Sequence, residues 1–158
     1  MRLGRDTFHE TWIEGHRMPY TPGDVATFLD TALSRQAIDA VLRDPEQAMW
    51  IVERGGEPVG YAKAGPCTLP YPDIRPDDGE LKQLYLRRAF QGGALGGALL
   101  DTVLCWLDRA GPRRIWLGVW SGNLAAQRFY ARRGFSKVGD HTFTVGATVD
   151  HEFAMRRG

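Results

Sequence analysis

The segment Gly92-Gly93-Ala94-Leu95-Gly96-Gly97 constrains this chain more than any other stretch. It follows an apolar run, Glu80 to Leu86, and opens an amphipathic helix whose Leu100, Val103, Leu104 and Leu107 form one stripe before Gly111-Pro112 ends it. A strand, a glycine-rich turn and a helix are a general solution for holding phosphate: backbone N–H groups point inward and the helix macrodipole favours negative charge. Glycine-rich helix starts also occur merely to permit close packing, so the turn alone leaves both readings open. Known motifs narrow the choice. Walker A needs Lys and Ser or Thr after its last glycine, whereas Gly97 is followed by Ala98-Leu99, and this excludes an ATPase. The dinucleotide fingerprint G-x-G-x-x-G is absent, as is the G-x-S-x-G elbow of hydrolases.

The rest of the chain reads as elements around this unit. Asp6 to Glu14 is expected to be helical, with Phe8, Trp12 and Ile13 among polar residues. Thr21-Pro22 and Ser34 look like helix starts, and Asp44-Pro45 is a stop. Met49 to Glu53 and Pro58 to Ala64 flank Gly55-Gly56 as a hairpin, and Gly65 to Gly79 is a loop. In the next strand Leu81, Leu84 and Leu86 break strict alternation by one residue. A β-bulge near Lys82 or Gln83 would put all three on one face, and such kinks often sit beside active sites. Ile115 to Trp120 is the clearest strand, buried on both faces. Asn123 is an N-cap for a helix to Arg133 that stops at Gly134, and closing strands fit Val138 to Val145 and Glu152 to Arg156.

At 158 residues the chain fits a single domain, residues 1–158, and 43% hydrophobic content is enough for a buried core. A net charge of +1 supplies no field to draw in nucleic acid or an anionic membrane, so neither is an expected partner. The absence of an apolar leader or span, with Cys67 and Cys105 far apart, points to a cytoplasmic location. Cys105 is expected in the core, and His9, His16, His141 and His151 show no metal-ligand spacing, so no metal is expected.

Order and spacing carry the functional reading further. Gln91-Gly92-Gly93-Ala94-Leu95-Gly96 follows Leu84-Tyr85-Leu86, and then comes Asn123-Leu124-Ala125-Ala126-Gln127-Arg128-Phe129-Tyr130-Ala131-Arg132-Arg133-Gly134-Phe135. Over about residues 47 to 157 this closely resembles the two main motifs of the GNAT acetyltransferase family. Trp116-Leu117-Gly118-Val119-Trp120 and Val138-Gly139-Asp140-His141-Thr142-Phe143 look like the bacterial PaiA-type polyamine acetyltransferases. The resemblance implies an α+β fold in three layers. A mixed, mostly antiparallel sheet is flanked by helices, and two adjacent parallel strands, here those ending near Leu86 and Trp120, splay to admit acetyl-CoA as cosubstrate. It assigns the backbone of Leu84 and Leu86 to the pantetheine arm and the N–H groups of Gln91, Gly92, Gly93, Ala94, Leu95, Gly96 and Gly97 to the pyrophosphate. Asn123 falls near the pantetheine and Tyr130 near the thioester sulfur.

Two departures stand out. Ala94 occupies a position where the family usually has glycine, and would be strained if that position needs positive φ. Family members also usually begin with a strand, for which residues 1 to 5 are too few. Either the sheet lacks an edge, another chain fills it (a homodimer is one candidate), or the start lies upstream.

Acetyl transfer to an amine needs a neutral nucleophile, an oxyanion stabiliser and a proton for the departing thiolate. A lysine-like amine is neutral in roughly one molecule in 2,500 at pH 7, a penalty of about 4.6 kcal/mol. Glu80 could act as base through water, or be a solvated strand-end carboxylate. The N–H of Leu86 could stabilise the oxyanion, and Tyr130 could protonate the thiolate or be a core tyrosine. Asn123 could cap its helix as well. Acids between Tyr71 and Glu80 would attract a polyamine, or form a solvated loop. Arg132 and Arg133 could meet a CoA phosphate, or complement their helix end. A carboxylate introduced by Gly96→Glu is expected to oppose the diphosphate without unfolding the chain. The expected function is direct acetyl transfer from acetyl-CoA to a small-molecule primary amine, foremost a small polyamine, in a ternary complex. A protein N-terminus, an amino acid or an aminoglycoside-like amine as acceptor, or a non-catalytic acyl-CoA sensor, are the alternatives.

Overall fold

The computed structural model describes residues 2–158. Six strands form one mixed sheet in the order β1-β2-β3-β4-β6-β5. They are β1 (Ala48–Arg54), β2 (Glu57–Pro66), β3 (Gly79–Leu86), β4 (Ile115–Trp120), β5 (Ser136–Val145) and β6 (Thr148–Arg157). Every neighbouring pair is antiparallel except β3 and β4, which are parallel. Among the described residues no strand precedes β1, so β1 is a sheet edge.

Helices cover both faces. On one, α4 (Ala94–Leu107) and α5 (Leu124–Ala131) close a core of Ala62, Leu81, Leu100, Val103, Leu107, Ile115 and Leu117. The expected α4 stripe is buried, but Cys105 is exposed. It lies one residue past Leu104, which turns it off the stripe and out of the core. On the other face, α1 (Arg2–Phe8) and α2 (Pro22–Ala32) enclose Phe8, Tyr20, Leu29, Leu33 and Val145. The third helix, α3 (Arg35–Arg43), packs on β1.

Local chemistry explains most boundaries. The Thr21 and Ser34 hydroxyls accept from the Asp24 and Ala37 amides, the capping bonds their positions foretold. Gly55 and Gly56 take φ of 60° and 82°, the left-handed pair a two-residue hairpin turn requires. Lys82 is skipped in the β2–β3 ladder, between the pairs Ala64↔Leu81 and Lys63↔Gln83. This bulge turns Leu81 and Leu84 into the α4 core and sets Leu86 against Gly96. The first helix differs from expectation, starting at Arg2 and continuing beyond Phe8 as a wider π-helical turn, His9–Gly15. The last strand differs too, beginning at Thr148 rather than Glu152. Its inward positions there are Asp150 and Glu152 while Val149 faces solvent, so the hydropathy alternation is inverted.

Candidate active site

The β3–β4 ladder consists of two pairs, Gly79↔Ile115 and Glu80↔Trp116. Beyond them the strands part. Their shared start is held by Asp78, which is 2% exposed. Its carboxylate accepts from Arg114 Nε (2.9 Å) and a terminal Arg114 nitrogen (2.6 Å), from Trp116 Nε1 (2.7 Å) and from the Arg75 amide (2.9 Å). The Gly79 amide donates to the Arg114 carbonyl at 3.0 Å.

Register decides which backbone groups face the gap. In an antiparallel ladder, residues alternate between exchanging bonds with the partner and turning away from it. The Arg87 amide donates to the Val59 carbonyl, so Arg87, Tyr85 and Gln83 bond towards β2 while Leu86 and Leu84 turn their N–H and C=O groups away, towards β4. By the same rule the Ser121 amide bond to the His151 carbonyl turns Gly118 and Trp120 towards β3. Two half-ladders therefore face each other without pairing across the gap, the arrangement that can bind a long amide-bearing chain; at its ends the Leu86 carbonyl accepts from the Gln91 side chain and the Trp120 carbonyl from the Asn123 amide.

At the far end of β3 the chain enters the glycine-rich turn. Gly92 has φ of 78° and Ala94 does not share that region, so the strain expected for alanine is absent. The leading amides of α4, Gly93 to Gly96, have no acceptor within the helix, whereas that of Gly97 is in register to bond back to Gly93. The Gln91 amide donates to the Arg88 carbonyl at 3.3 Å, and its side chain to the Leu86 carbonyl at 2.9 Å.

The glycines divide into two pairs. A Cβ at Gly92 or Gly93 would meet nothing within 4 Å. One at Gly96 would lie 3.5 Å from Leu86 Cδ1, and one at Gly97 would lie 2.3 Å from an Arg133 guanidinium nitrogen. Arg133 is tied to Asp101 at 3.2 Å, so Gly97 serves the α4–α5 seam. Gly96 points inward, and Gly96→Glu would bury a carboxylate against Leu86 and Phe129, contrary to the expectation that the fold would tolerate it. Gly93→Glu is the clean probe. It adds an acid at a helix start, which favours the helix, and sets it beside the leading amides. We expect an unchanged or slightly raised Tm and at least about tenfold weaker CoA binding by calorimetry. Undiminished affinity would remove the turn from the site.

On α5, the Asn123 side chain accepts from the Ala126 amide at 3.0 Å, so it caps the helix. Tyr130 packs between Phe129 and Phe135, and its hydroxyl has no hydrogen-bond partner among the described residues. Burial, with the nearby Tyr85, raises its phenol well above the usual value and keeps it protonated. The Glu80 carboxylate is committed, accepting from the Thr68 amide (2.8 Å), the Thr68 hydroxyl (3.1 Å) and Lys82 Nζ (2.8 Å). The acids of the 71–80 loop are mostly neutralised: Asp73 pairs with Arg114 and Arg156, and Asp78 with Arg114. An open groove of about 410 Å³ lined by Leu124, Gln127, Phe135 and Lys137 contains none of these groups.

A second cluster, missed from the sequence, lies on the α1–α2 face of the sheet. Asp150 and Glu152 project inward from β6, and His141 projects from β5 opposite Glu152. The Tyr20 hydroxyl donates to Asp150. His141 Nε2 sits 3.3 Å from Glu152 Oε2 without hydrogen-bond alignment. A Cβ at Gly118 would fall 2.6 Å from that oxygen and 2.9 Å from His141 Nε2, so the cluster rests directly on the strand that lines the gap. Burial pushes the Glu152 carboxyl up to about 7, and the charges of Asp150 and Glu80 push the same way. The available signal was two acids spaced by two on a strand, which places both on one face.

A sequence profile of the acetyltransferase (GNAT) family matches residues 6–135. This chain belongs to that family. Among curated proteins, this GNAT chain is 37% identical over 138 residues to an uncharacterised N-acetyltransferase of Mycobacterium tuberculosis (strain ATCC 25618 / H37Rv), covering 86% of this chain and 83% of the relative. Among solved structures, the PaiA N-acetyltransferase from Thermoplasma acidophilum in complex with coenzyme A shares the fold with a TM-score of 0.74 at 17% identity, over 99% of this chain and 88% of that one. The ribosomal-protein-S18-alanine N-acetyltransferase from Escherichia coli does so with a TM-score of 0.63 at 18% identity, over 98% and 86%. The GNAT enzyme described here is an acetyl-CoA-dependent N-acetyltransferase. Among the described residues, no His, Cys, Asp and Glu grouping has a metal-holding arrangement, and no helix is long and apolar enough to cross a membrane.

Proposed function

We propose that this enzyme, working as one domain, moves the acetyl group of acetyl-CoA directly to a small primary amine, foremost a polyamine, within a ternary complex. The observation that carries the reading is the β3–β4 ladder ending at Glu80↔Trp116, which leaves two facing rows of backbone donors and acceptors. In this reading the backbones of Leu84 and Leu86 hold the pantetheine arm. The amides of Gly92, Gly93, Ala94, Leu95 and Gly96 receive the pyrophosphate, with Gln91 and Gly97 bracing the turn. The Leu86 N–H stabilises the developing oxyanion. Asn123 fixes the start of α5 and thereby Tyr130, whose protonated, unpartnered phenol gives its proton to the departing thiolate.

Glu80 serves better as a strut between the loop and β3 than as the base, because its carboxylate already takes three donors. A cationic acceptor is favoured by the buried Asp150–Glu152 pair rather than by the partnered 71–80 loop.

An amine panel with mass detection of product tests this, with spermidine and an alanine-initiated peptide as leading arms and thiol release as the rate. Tyr130→Phe is expected to lower thiol release by about 100-fold with CoA affinity unchanged. No release from the native chain, with intact CoA binding, would overturn transfer in favour of a sensor. Product on the peptide alone would overturn the polyamine.

A further inference from the structure

We propose that Glu152 is the group that takes the proton from the incoming ammonium, with His141 positioning its carboxylate. The inference rests on the reading of an amine as acceptor. Three carboxylates crowd this side of the gap, and two are committed: Glu80 to Thr68 and Lys82, Asp150 to Tyr20. The Glu152 oxygens accept no hydrogen bond from the described residues, although the residue is only 8% exposed. Facing it are Asp150 of the same strand, His141 of β5, and Glu80 and Tyr85 of β3. Tyr20, ahead of α2, also feels its charge. Gly118 of β4 adds no side chain. His141 is the one imidazole among them, and its Nε2 is buried, without a hydrogen-bond partner among the described residues, and 3.3 Å from Oε2. A sealed nitrogen at that distance confines the carboxylate on one side and leaves its other side for an ammonium.

The step balances. The Glu152 carboxylate takes one proton from R–NH3⁺ and later releases it to solvent. The freed nitrogen lone pair forms the C–N bond to the acetyl carbon as the C–S bond breaks, its electron pair leaving on sulfur. Tyr130 protonates the sulfur, and the second proton lost by nitrogen restores the phenol. Because burial holds the carboxyl up to about 7, the competent carboxylate forms as pH rises through that value. The rate limb at acidic pH should climb about tenfold per pH unit and then level.

The test compares the native chain with Glu152→Gln, Glu152→Asp and Glu80→Gln. It measures kcat/KM for acetyl-CoA with spermidine from pH 5 to 9, and CoA affinity by calorimetry. Glu152→Gln should lose at least about 100-fold and the acidic limb, with CoA affinity held within about twofold. Glu152→Asp should recover part of the rate with the limb retained, and Glu80→Gln should lose less than about tenfold. A Glu152→Gln enzyme within about threefold of native with its limb intact would overturn the proposal, as would a loss matched by lost CoA affinity. If the alanine-initiated peptide is acetylated and spermidine is not, the polyamine reading fails while the same comparison on the peptide decides Glu152. A native chain that acetylates neither overturns both.

Discussion

Alanine at Asp78 is expected to destabilise the protein by about 3–5 kcal/mol, the range for removing one partner of a buried ion pair. Asp78 is 2% exposed, and its loss strands the Trp116 indole and takes two acceptors from the Arg114 guanidinium, which keeps only the outer contacts to Asp73. Urea denaturation checks the size, and a loss under about 1 kcal/mol would show that water replaces the carboxylate. The double variant with Arg114→Ala should cost less than the two single losses added, because no charge is then left unpaired. Burial works to raise the Asp78 carboxyl, but the bonds from Arg114, the Arg75 amide and the Trp116 indole outweigh it and hold it below the usual carboxylate range. The stabilisation is therefore present above the ordinary aspartate value near 3.8 and lost as pH falls through the lower folded one.

Glu152→Gln is expected to do the opposite, raising stability at pH 8 while costing activity. The folded carboxyl keeps its proton up to about 7, whereas the unfolded chain releases it near 4.5. The stabilisation from the neutral carboxyl is whole below pH 4.5 and is lost as pH rises through 7. Glutamine is neutral throughout, so its advantage over the native residue grows across that window to roughly 3 kcal/mol. Thermal melts of both chains at pH 4.5 and pH 8 measure it, and a gain independent of pH would sink the idea. A buried acid that destabilises the fold at working pH is the familiar exchange of stability for function.

The site was legible where local chemistry dictates structure. Thr21, Ser34 and Asn123 announced helix starts because a side-chain oxygen can reach an orphan amide only from the cap. The Lys82 bulge was readable because Leu81, Leu84 and Leu86 can share a face only if one residue is skipped. The splay itself leaves no trace in hydropathy, and it entered through family resemblance. Glu152 was hidden because β6 carries its acids inward there, so a pattern that scores apolar residues as buried assigns the wrong face. Its meeting with His141 depends on a ten-residue hairpin register that no single position encodes. The pairing of the 71–80 loop was hidden for a similar reason: Arg114, just ahead of β4, and Arg156 of β6 come from far along the chain.

β3 and β4 are bonded to each other at one end only, and towards the other end Leu84 of β3 and Val119 of β4 pack into the core under the helices. An aperture set by side-chain volume can be widened by trimming such residues without sacrificing a single main-chain bond. Proteins with this same ladder thus have an inexpensive route to carriers with bulkier acyl groups, one substitution at a time.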